Sequence, residues 1–225
     1  IPSAAVNRAD GERLIALARE GVEATVETEL ETGWFPQRLP VVEIPGAVEP
    51  ERFVLLHGHH DAWDVGVGDN GTGDVCMLAV ARRLWRDRAR LRRSVRVAWW
   101  PGHSLGRYGG SAWFADTFGL DLDANCVVHI NCDSPGCRDA VSYRSIGLTS
   151  DTEAAVKQIV RAVTGQETAG KRQQRNSDYS FYNIGLSGCF AASSMITEET
   201  RAAKGYYVVG GCGGDIAWHT EDDLM

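Results

Sequence analysis

The 225-residue chain has no apolar run of 18 residues, so the sequence offers no segment long enough to span a membrane. It also lacks an excess of positive charge, because 23 Lys and Arg residues stand against 30 Asp and Glu residues, a net charge of −7. Nucleic-acid binding relies on clustered Lys and Arg, and this balance argues against nucleic acid as the main partner. One basic run, residues 82–93, has a helical pattern, and we interpret it as a solvated helix face.

Paired cysteines are missing as well. The six cysteines form no Cys-x-x-Cys pair and are too sparse for a disulfide scaffold. Cys76 and Cys126 stand in apolar runs, where we expect buried free thiols. This usage slightly favours a reducing compartment such as the cytoplasm.

The hydrophobic pattern alternates between strands and helices. Strand-like apolar runs cover residues 53–56, 95–100 and 126–130, and helical periodicity covers residues 10–19, 75–85, 111–118 and 152–163. Residues 22–30 alternate apolar and polar side chains as a strand would, and residues 41–44 add a short strand. This order predicts an α/β fold with a central, mostly parallel mixed sheet flanked by helices.

Polar side chains follow three of these strands. His59, His103 and Asp133 each lie within three residues of a predicted strand end, and ligands of open α/β sheets bind at the carboxyl ends of the strands. Asp69 stands beside glycine ten residues after His59, and His219 lies near the end of the chain. Imidazole and carboxylate are zinc ligands, so the set predicts a metal centre assembled from across the fold.

From residue 52 onward these segments resemble peptidase family M28, the zinc aminopeptidases and glutamate carboxypeptidases. The segments that carry the resemblance are residues 58–63, 68–73, 131–133 and 218–220, in the family's order. The resemblance implies a zinc-peptidase-like three-layer sandwich and metal ligands at His59, Asp69, Asp133 and His219. It also implies that Asp61 orients the His59 ring toward the metal without binding the metal itself.

Three further residues are candidates for substrate contact. Residues 177–181 resemble the loop beside the family's substrate pocket, which implies a role for Tyr179. Trp218 stands where the carboxypeptidase branch has a tyrosine that stabilises the tetrahedral intermediate, and its indole N–H is the remaining donor. Arg107 is either a clamp for a substrate carboxylate or a surface arginine.

The resemblance breaks at residues 103 and 104. The family places two adjacent glutamates there, a general base and a ligand of the second metal, whereas this chain has His103 and Ser104. An imidazole titrates near pH 6.5, which suits His103 as the general base, and the alternative is that His103 becomes the third ligand of the second metal, beside Asp69 and His219. Serine is a poor ligand, so we expect one zinc ion and leave a second open.

Two functions follow from these residues. The first is a metal-dependent hydrolase of peptide or related amide bonds through metal-activated water, and the alternative is a catalytically inactive M28-like binding domain. A Ser104 nucleophile with His103 as its base is disfavoured, because adjacent residues on an extended segment point to opposite sides. The expected partner is a peptide or small amide substrate, and a homo-oligomer is left open.

The resemblance also divides the chain. Residues 1–20 resemble the tail of the protease-associated domain often inserted in this family, and residues 21–225 resemble the peptidase domain. The chain begins at Ile1 and ends at Met225, six residues after His219. We therefore expect a piece of a longer polypeptide.

Overall fold

The computed structural model describes residues 3–173, 178–190 and 193–224, which divide into two units, Ile1–Pro36 and Gln37–Met225. The predicted boundary after residue 20 lies inside the first unit. That unit contains helix α1 (Arg8–Arg19), which begins where the Asn7 side chain accepts a hydrogen bond from the Asp10 backbone N–H. The strand predicted at residues 22–30 is wrong. These residues form no strand and are all exposed, since an alternating segment needs a hydrogen-bonded partner strand to become a stable one.

A seven-stranded sheet forms the centre of the second unit in the part of the chain that the structure describes. The strand order is β1-β3-β2-β4-β7-β5-β6, with antiparallel pairing at β1–β3 and β5–β7 and parallel pairing elsewhere. This arrangement confirms the predicted mixed, mostly parallel sheet. The strands are β1 (Val41–Ile44), β2 (Glu49–His59), β3 (Arg93–Trp100), β4 (Cys126–Asn131), β5 (Ser145–Leu148), β6 (Ala169–Arg172) and β7 (Gly188–Phe190). The helices are α2 (Thr72–Arg86), α3 (Gly109–Asn125), α4 (Glu153–Thr164), α5 (Ser180–Asn183) and α6 (Glu198–Lys204).

Helices cover both faces of this sheet. One core cluster joins Phe53 of β2 and Trp100 of β3 to Phe114 of α3, and a second joins Val97 of β3 to Met77 of α2. Each large apolar side chain buried in this way contributes roughly 1.5–3 kcal/mol to stability. The two layers of helix hold the middle strands in place, and with them the residues at the strand ends.

Helix α2 differs from the prediction at its outer face. Cys76 is exposed there, together with Val75 and Leu78, so the predicted buried thiol at Cys76 is wrong. Cys126 is half-buried at the start of β4.

The basic run at residues 82–93 is mostly exposed, as predicted, but it extends past the end of α2 through a 3-10 turn into β3. No helix among the described residues is both long and apolar enough to cross a bilayer.

The three middle strands β3, β2 and β4 are parallel, so their carboxyl ends meet at one edge of the sheet. His59 ends β2, and the loops that follow β3 and β4 carry His103 and Asp133. Gly58 permits the close approach of these ends, because a Cβ at this position would lie 2.5 Å from the Cys132 carbonyl oxygen. The edge of the sheet therefore gathers the polar residues that the sequence placed after separate strands.

Candidate metal centre

Three buried side chains meet at the carboxyl edge of the sheet. His59 Nε2 lies 2.9 Å from Asp69 Oδ1 and 3.4 Å from Asp133 Oδ1. His59 is completely buried, and Asp69 and Asp133 are 5% and 6% exposed. Donor atoms placed tetrahedrally around zinc at about 2.1 Å lie roughly 3.4 Å apart, so each carboxylate lies at a distance from His59 Nε2 that suits a fellow ligand of one ion.

The electrostatics of the three residues favour a cation between them. Burial alone would lower the pKa of His59, but hydrogen bonds to Asp133 and Asp69 and the charges of both carboxylates outweigh it and raise the pKa to about 11. Burial would likewise raise the pKa of the Asp69 and Asp133 carboxyls, yet His59 holds the pKa of each below its usual range, with help from His219 at Asp69. Two buried carboxylates thus rely on positive charge beside them, which a divalent ion supplies in full.

Asp69 also faces a second imidazole. His219 Nε2 lies 2.8 Å from Asp69 Oδ2, on the opposite side of the carboxylate from His59. The Trp218 indole N–H donates to the same Oδ2 at 2.7 Å, and its ring stacks on His219 at 3.7 Å. The donor that the sequence suggested for a substrate oxygen is therefore engaged by Asp69, and Trp218 lies beside the ligands.

The Asp61 carboxylate binds the backbone of the loop that follows β3. Its carboxylate accepts the backbone N–H groups of His103 at 3.0 Å and Ser104 at 2.9 Å. His59 Nδ1 lies 2.8 Å from the Asp61 backbone carbonyl oxygen and 3.9 Å from its carboxylate. The close contact between residue 61 and the His59 ring is therefore made by the backbone carbonyl of Asp61 and not by its carboxylate.

His103 lies flat against His59. The two rings are 3.7 Å apart and inclined by only 9°. The ligand atoms of His59, His103 and Asp133 lie within 4.8 Å of one another, but a metal bound to an imidazole lies in the plane of the ring at about 2.1 Å. Two stacked, parallel rings cannot both satisfy that requirement for one ion. The geometry therefore argues against one ion bound by both His59 and His103, and a role for His103 as ligand of a second ion stays a prediction.

Ser104 has no base to activate it. Its Oγ is buried and makes no hydrogen bond among the residues described. The hypothesis of a serine nucleophile paired with His103 consequently has no geometric support.

Two residues that the sequence analysis did not single out hold the ligand segments together. Asn70 donates from Nδ2 to the carbonyl oxygens of His59 and Cys132, both at 3.0 Å, and accepts the Ser134 N–H at Oδ1. Asp223 accepts the N–H groups of Gly68 and Asp69 at 2.6 and 3.0 Å. No sequence pattern marked Asp223, and Asn70 lay within the predicted segment 68–73 without a role of its own.

The remaining candidates surround the centre less closely. A cavity of ≈ 200 Å³ opens beside Asp133, with Lys171 and Gly210 to Gly213 in its wall. Tyr179 lines a neighbouring cavity and stacks on Tyr182, whereas Ser177 of the same predicted loop lies outside the described residues. Arg107 is exposed, with its guanidinium 4.7 Å from the centre of the Tyr108 ring.

Known proteins share parts of this sequence and its fold. The probable glutamate carboxypeptidase VP8 of Zea mays is 31% identical over 135 residues, which cover 57% of this chain and 18% of that protein. The LapA aminopeptidase of Legionella pneumophila superposes with a TM-score of 0.65 at 16% identity, covering 87% of this chain and 50% of that one. BSAP, a zinc aminopeptidase from Bacillus subtilis, gives a TM-score of 0.64 at 19% identity, covering 81% of this chain and 43% of that one.

This chain thus matches about a fifth of the length of the maize relative and about half of each solved structure. The shared fold is that of the two aminopeptidases. The sequence profile of peptidase family M28 matches residues 41–225, which include every proposed ligand. The chain belongs to peptidase family M28.

Proposed function

We propose that this chain carries the metal centre of a hydrolase of peptide or related amide bonds. The observation that supports the proposal most directly is the buried convergence of His59, Asp69 and Asp133 at the carboxyl edge of the sheet. Two carboxylates buried around one imidazole are costly to maintain without a cation. The relatives named above are peptidases, and nothing in the comparisons favours the alternative of an inactive binding domain.

Zinc is the ion that we propose. His59, Asp69 and Asp133 would hold it, since their donor atoms are nitrogen and oxygen, both carboxylates lie close to His59 Nε2, and BSAP is a zinc enzyme. When bound, zinc polarises a carbonyl group and lowers the pKa of water toward 7. Asp69 and His219 offer two donors for a second ion, but His219 is much more exposed than the other ligands.

The residues around the centre would move the proton. As water adds to the amide carbonyl, His103 accepts one of its protons at Nε2, and the new C–O bond forms. The C–N bond then breaks, and the same proton passes to the leaving amine nitrogen, so the products are a carboxylic acid and an amine. Histidine is the side chain used most often for such proton transfers.

Metal content and turnover together test this proposal. The purified chain is dialysed against trace zinc and then against metal-free buffer, and zinc is counted by elemental mass spectrometry. We expect about one ion per chain by the three-ligand geometry. We also expect hydrolysis of some members of a panel of peptides and aminoacyl amides, abolished by a chelator and restored by zinc. A folded chain that retains no zinc would overturn the proposal.

A further inference from the structure

Asp178 is a buried carboxylate outside the ligand set. It is completely buried just before α5, and it accepts a hydrogen bond from Ser111 Oγ at 2.7 Å. Its Oδ1 also lies 3.3 Å from His103 Nδ1. Among the described residues, neither His103 Nδ1 nor Asp178 Oδ2 makes a hydrogen bond. The unpartnered His103 Nδ1 therefore lies a short distance from Oδ1 of a buried carboxylate whose other oxygen also lacks a partner.

The surroundings of Asp178 fix its position. Ser111 Oγ lies within hydrogen-bonding distance of Ser180 Oγ at 3.0 Å and of the Tyr108 carbonyl oxygen at 3.2 Å, so the serine joins α3 to α5. The Ser111 hydroxyl has one proton, and its 2.7 Å contact with Asp178 is the shortest of the three. A buried carboxylate needs more than one donor, and among the described residues the Nδ1 atom of His103 is a second candidate, 3.3 Å away.

The His103 ring is held on its other sides as well. One face stacks on His59 at 3.7 Å, and the edge meets Tyr108 at 4.8 Å with an angle of 70° between the rings. Asp61 fixes the backbone N–H of the same residue. A small rotation of the ring within these walls would align Nδ1–H with Asp178, as catalytic hydrogen bonds that are poorly aligned without substrate often tighten when it binds.

We infer that Asp178 is a positioning residue that keeps the His103 proton on Nδ1, which leaves the lone pair on Nε2 free to accept a proton. Asp178 then also stabilises the imidazolium that forms during the reaction, while Ser111 holds the carboxylate in line. The inference rests on the proposed function, in which His103 is the base. Such a histidine–carboxylate pair is a recurring way to fix the tautomer of a catalytic imidazole.

The first test reads the tautomer without any turnover. Metal-free protein labelled with 15N-histidine is examined by NMR at pH 8, and the His103 signals are assigned by their loss in His103→Gln. We expect the proton on Nδ1 in the unaltered protein and a shift of a large share of it to Nε2 in Asp178→Asn. A wild-type His103 with its proton on Nε2 would overturn the inference, whether or not the variant folds.

The second test separates positioning from structure. In the zinc-loaded enzyme, we expect Asp178→Asn to lower kcat by about 10²-fold to 10⁴-fold, with KM and bound zinc unchanged. The matched control is Asp121→Asn, the same chemical change at a surface partner of Arg96, which should leave kcat unchanged. Unchanged kcat in Asp178→Asn would refute the role of Asp178 and leave the hydrolase standing. An inactive wild-type enzyme would refute the hydrolase, and the NMR result would still decide the tautomer.

Discussion

The Asp69 carboxylate serves two imidazoles, with Oδ1 facing His59 and Oδ2 facing His219. Asp69→Asn replaces a charged acceptor by an amide whose NH₂ group opposes one of these rings. We expect the variant to lose bound zinc and turnover together, because the ion loses a ligand and both histidines lose their counter-charge. Elemental mass spectrometry and a peptide hydrolysis assay measure the two effects on one preparation.

The control for Asp69→Asn is Asp87→Asn, which alters an exposed ion pair with Arg83 far from the centre in sequence. That variant should keep both zinc and activity, since an exposed, solvent-screened ion pair contributes little to stability. Turnover that survived Asp69→Asn would show that the reaction does not depend on this metal centre.

Asp61 offers a test of which of its two groups matters. Its backbone carbonyl is the close partner of His59 Nδ1, and its carboxylate holds the backbone of residues 103 and 104. We therefore expect Asp61→Asn to lower kcat through a displaced His103, while the Kd for zinc changes less than about 10-fold. Zinc competition with a chromophoric chelator measures the Kd. A loss of zinc affinity of about 10-fold to 100-fold would instead show that the carboxylate orients His59.

At the scale of elements, the start of α2 is packed tightly against the end of β4. A Cβ added at Gly73 would lie 2.1 Å from Asn70 Oδ1 and 2.6 Å from the Cys132 carbonyl oxygen. Gly73→Ala must therefore displace the side chain that joins the ligand segments. We expect it to lower the free energy of unfolding by about 1–3 kcal/mol, measured by urea denaturation in the presence of a chelator.

Gly119 in α3 provides the matched control for that substitution. A Cβ there would meet nothing within 4 Å. Gly119→Ala should raise stability by about 0.5–1 kcal/mol, because alanine loses less conformational freedom than glycine in a helix. If both variants changed stability equally, the close contact at Gly73 would not be the cause.

The strands that were predicted correctly are buried strands, and each has a continuous run of apolar residues. Residues 53–56, 95–100 and 126–130 lie within β2, β3 and β4, the three parallel strands at the site. The strand predicted at residues 22–30 was wrong, because an alternating pattern indicates which side chains would share one face of a strand but supplies no partner strand to pair with. The burial predicted for Cys76 was wrong, because its apolar neighbours lie on the outer face of α2 and are exposed with it.

The candidate site was predictable only in part, for a similar reason. Strand ends and glycine-flanked motifs marked His59, Asp69 and Asp133, and the family resemblance implied His219. The structure brings the four residues to one edge of the sheet. The contact of His103 with Asp178 spans 75 positions of sequence and depends on how α3 and α5 pack. No local pattern records such a packing, so the sequence left the role of His103 open between base and ligand.

At the scale of the whole molecule, the core contains two neutral histidines. The Trp100 indole N–H donates to His57 Nδ1 at 2.9 Å, so the proton of neutral His57 sits on Nε2 and is directed at His129 Nδ1, 3.1 Å away. Both rings are completely buried. Burial lowers the pKa of His129 to about 3 and, with the charge of His129, that of His57 well below its usual value.

These histidines make the stability of the fold depend on pH. Above pH 6.5 His129 is neutral in both states and adds no dependence. Between pH 6.5 and about 3 the unfolded chain binds a proton at His129 that the folded chain does not, so stability falls as pH falls. The slope from this residue alone approaches about 1.4 kcal/mol per pH unit below the unfolded pKa.

His129→Asn isolates that contribution, because an asparagine oxygen can still accept the His57 N–H while the titrating ring is gone. Urea denaturation of chelated wild type and variant at pH 7.5, 6.0 and 5.0 gives the two slopes. We expect the variant to be less stable at pH 7.5, where the smaller side chain leaves a gap in the core, and the difference between the two proteins to shrink as the pH falls. A difference that stayed constant from pH 7.5 to 5.0 would mean that His129 takes up its proton in the folded core as readily as in the unfolded chain.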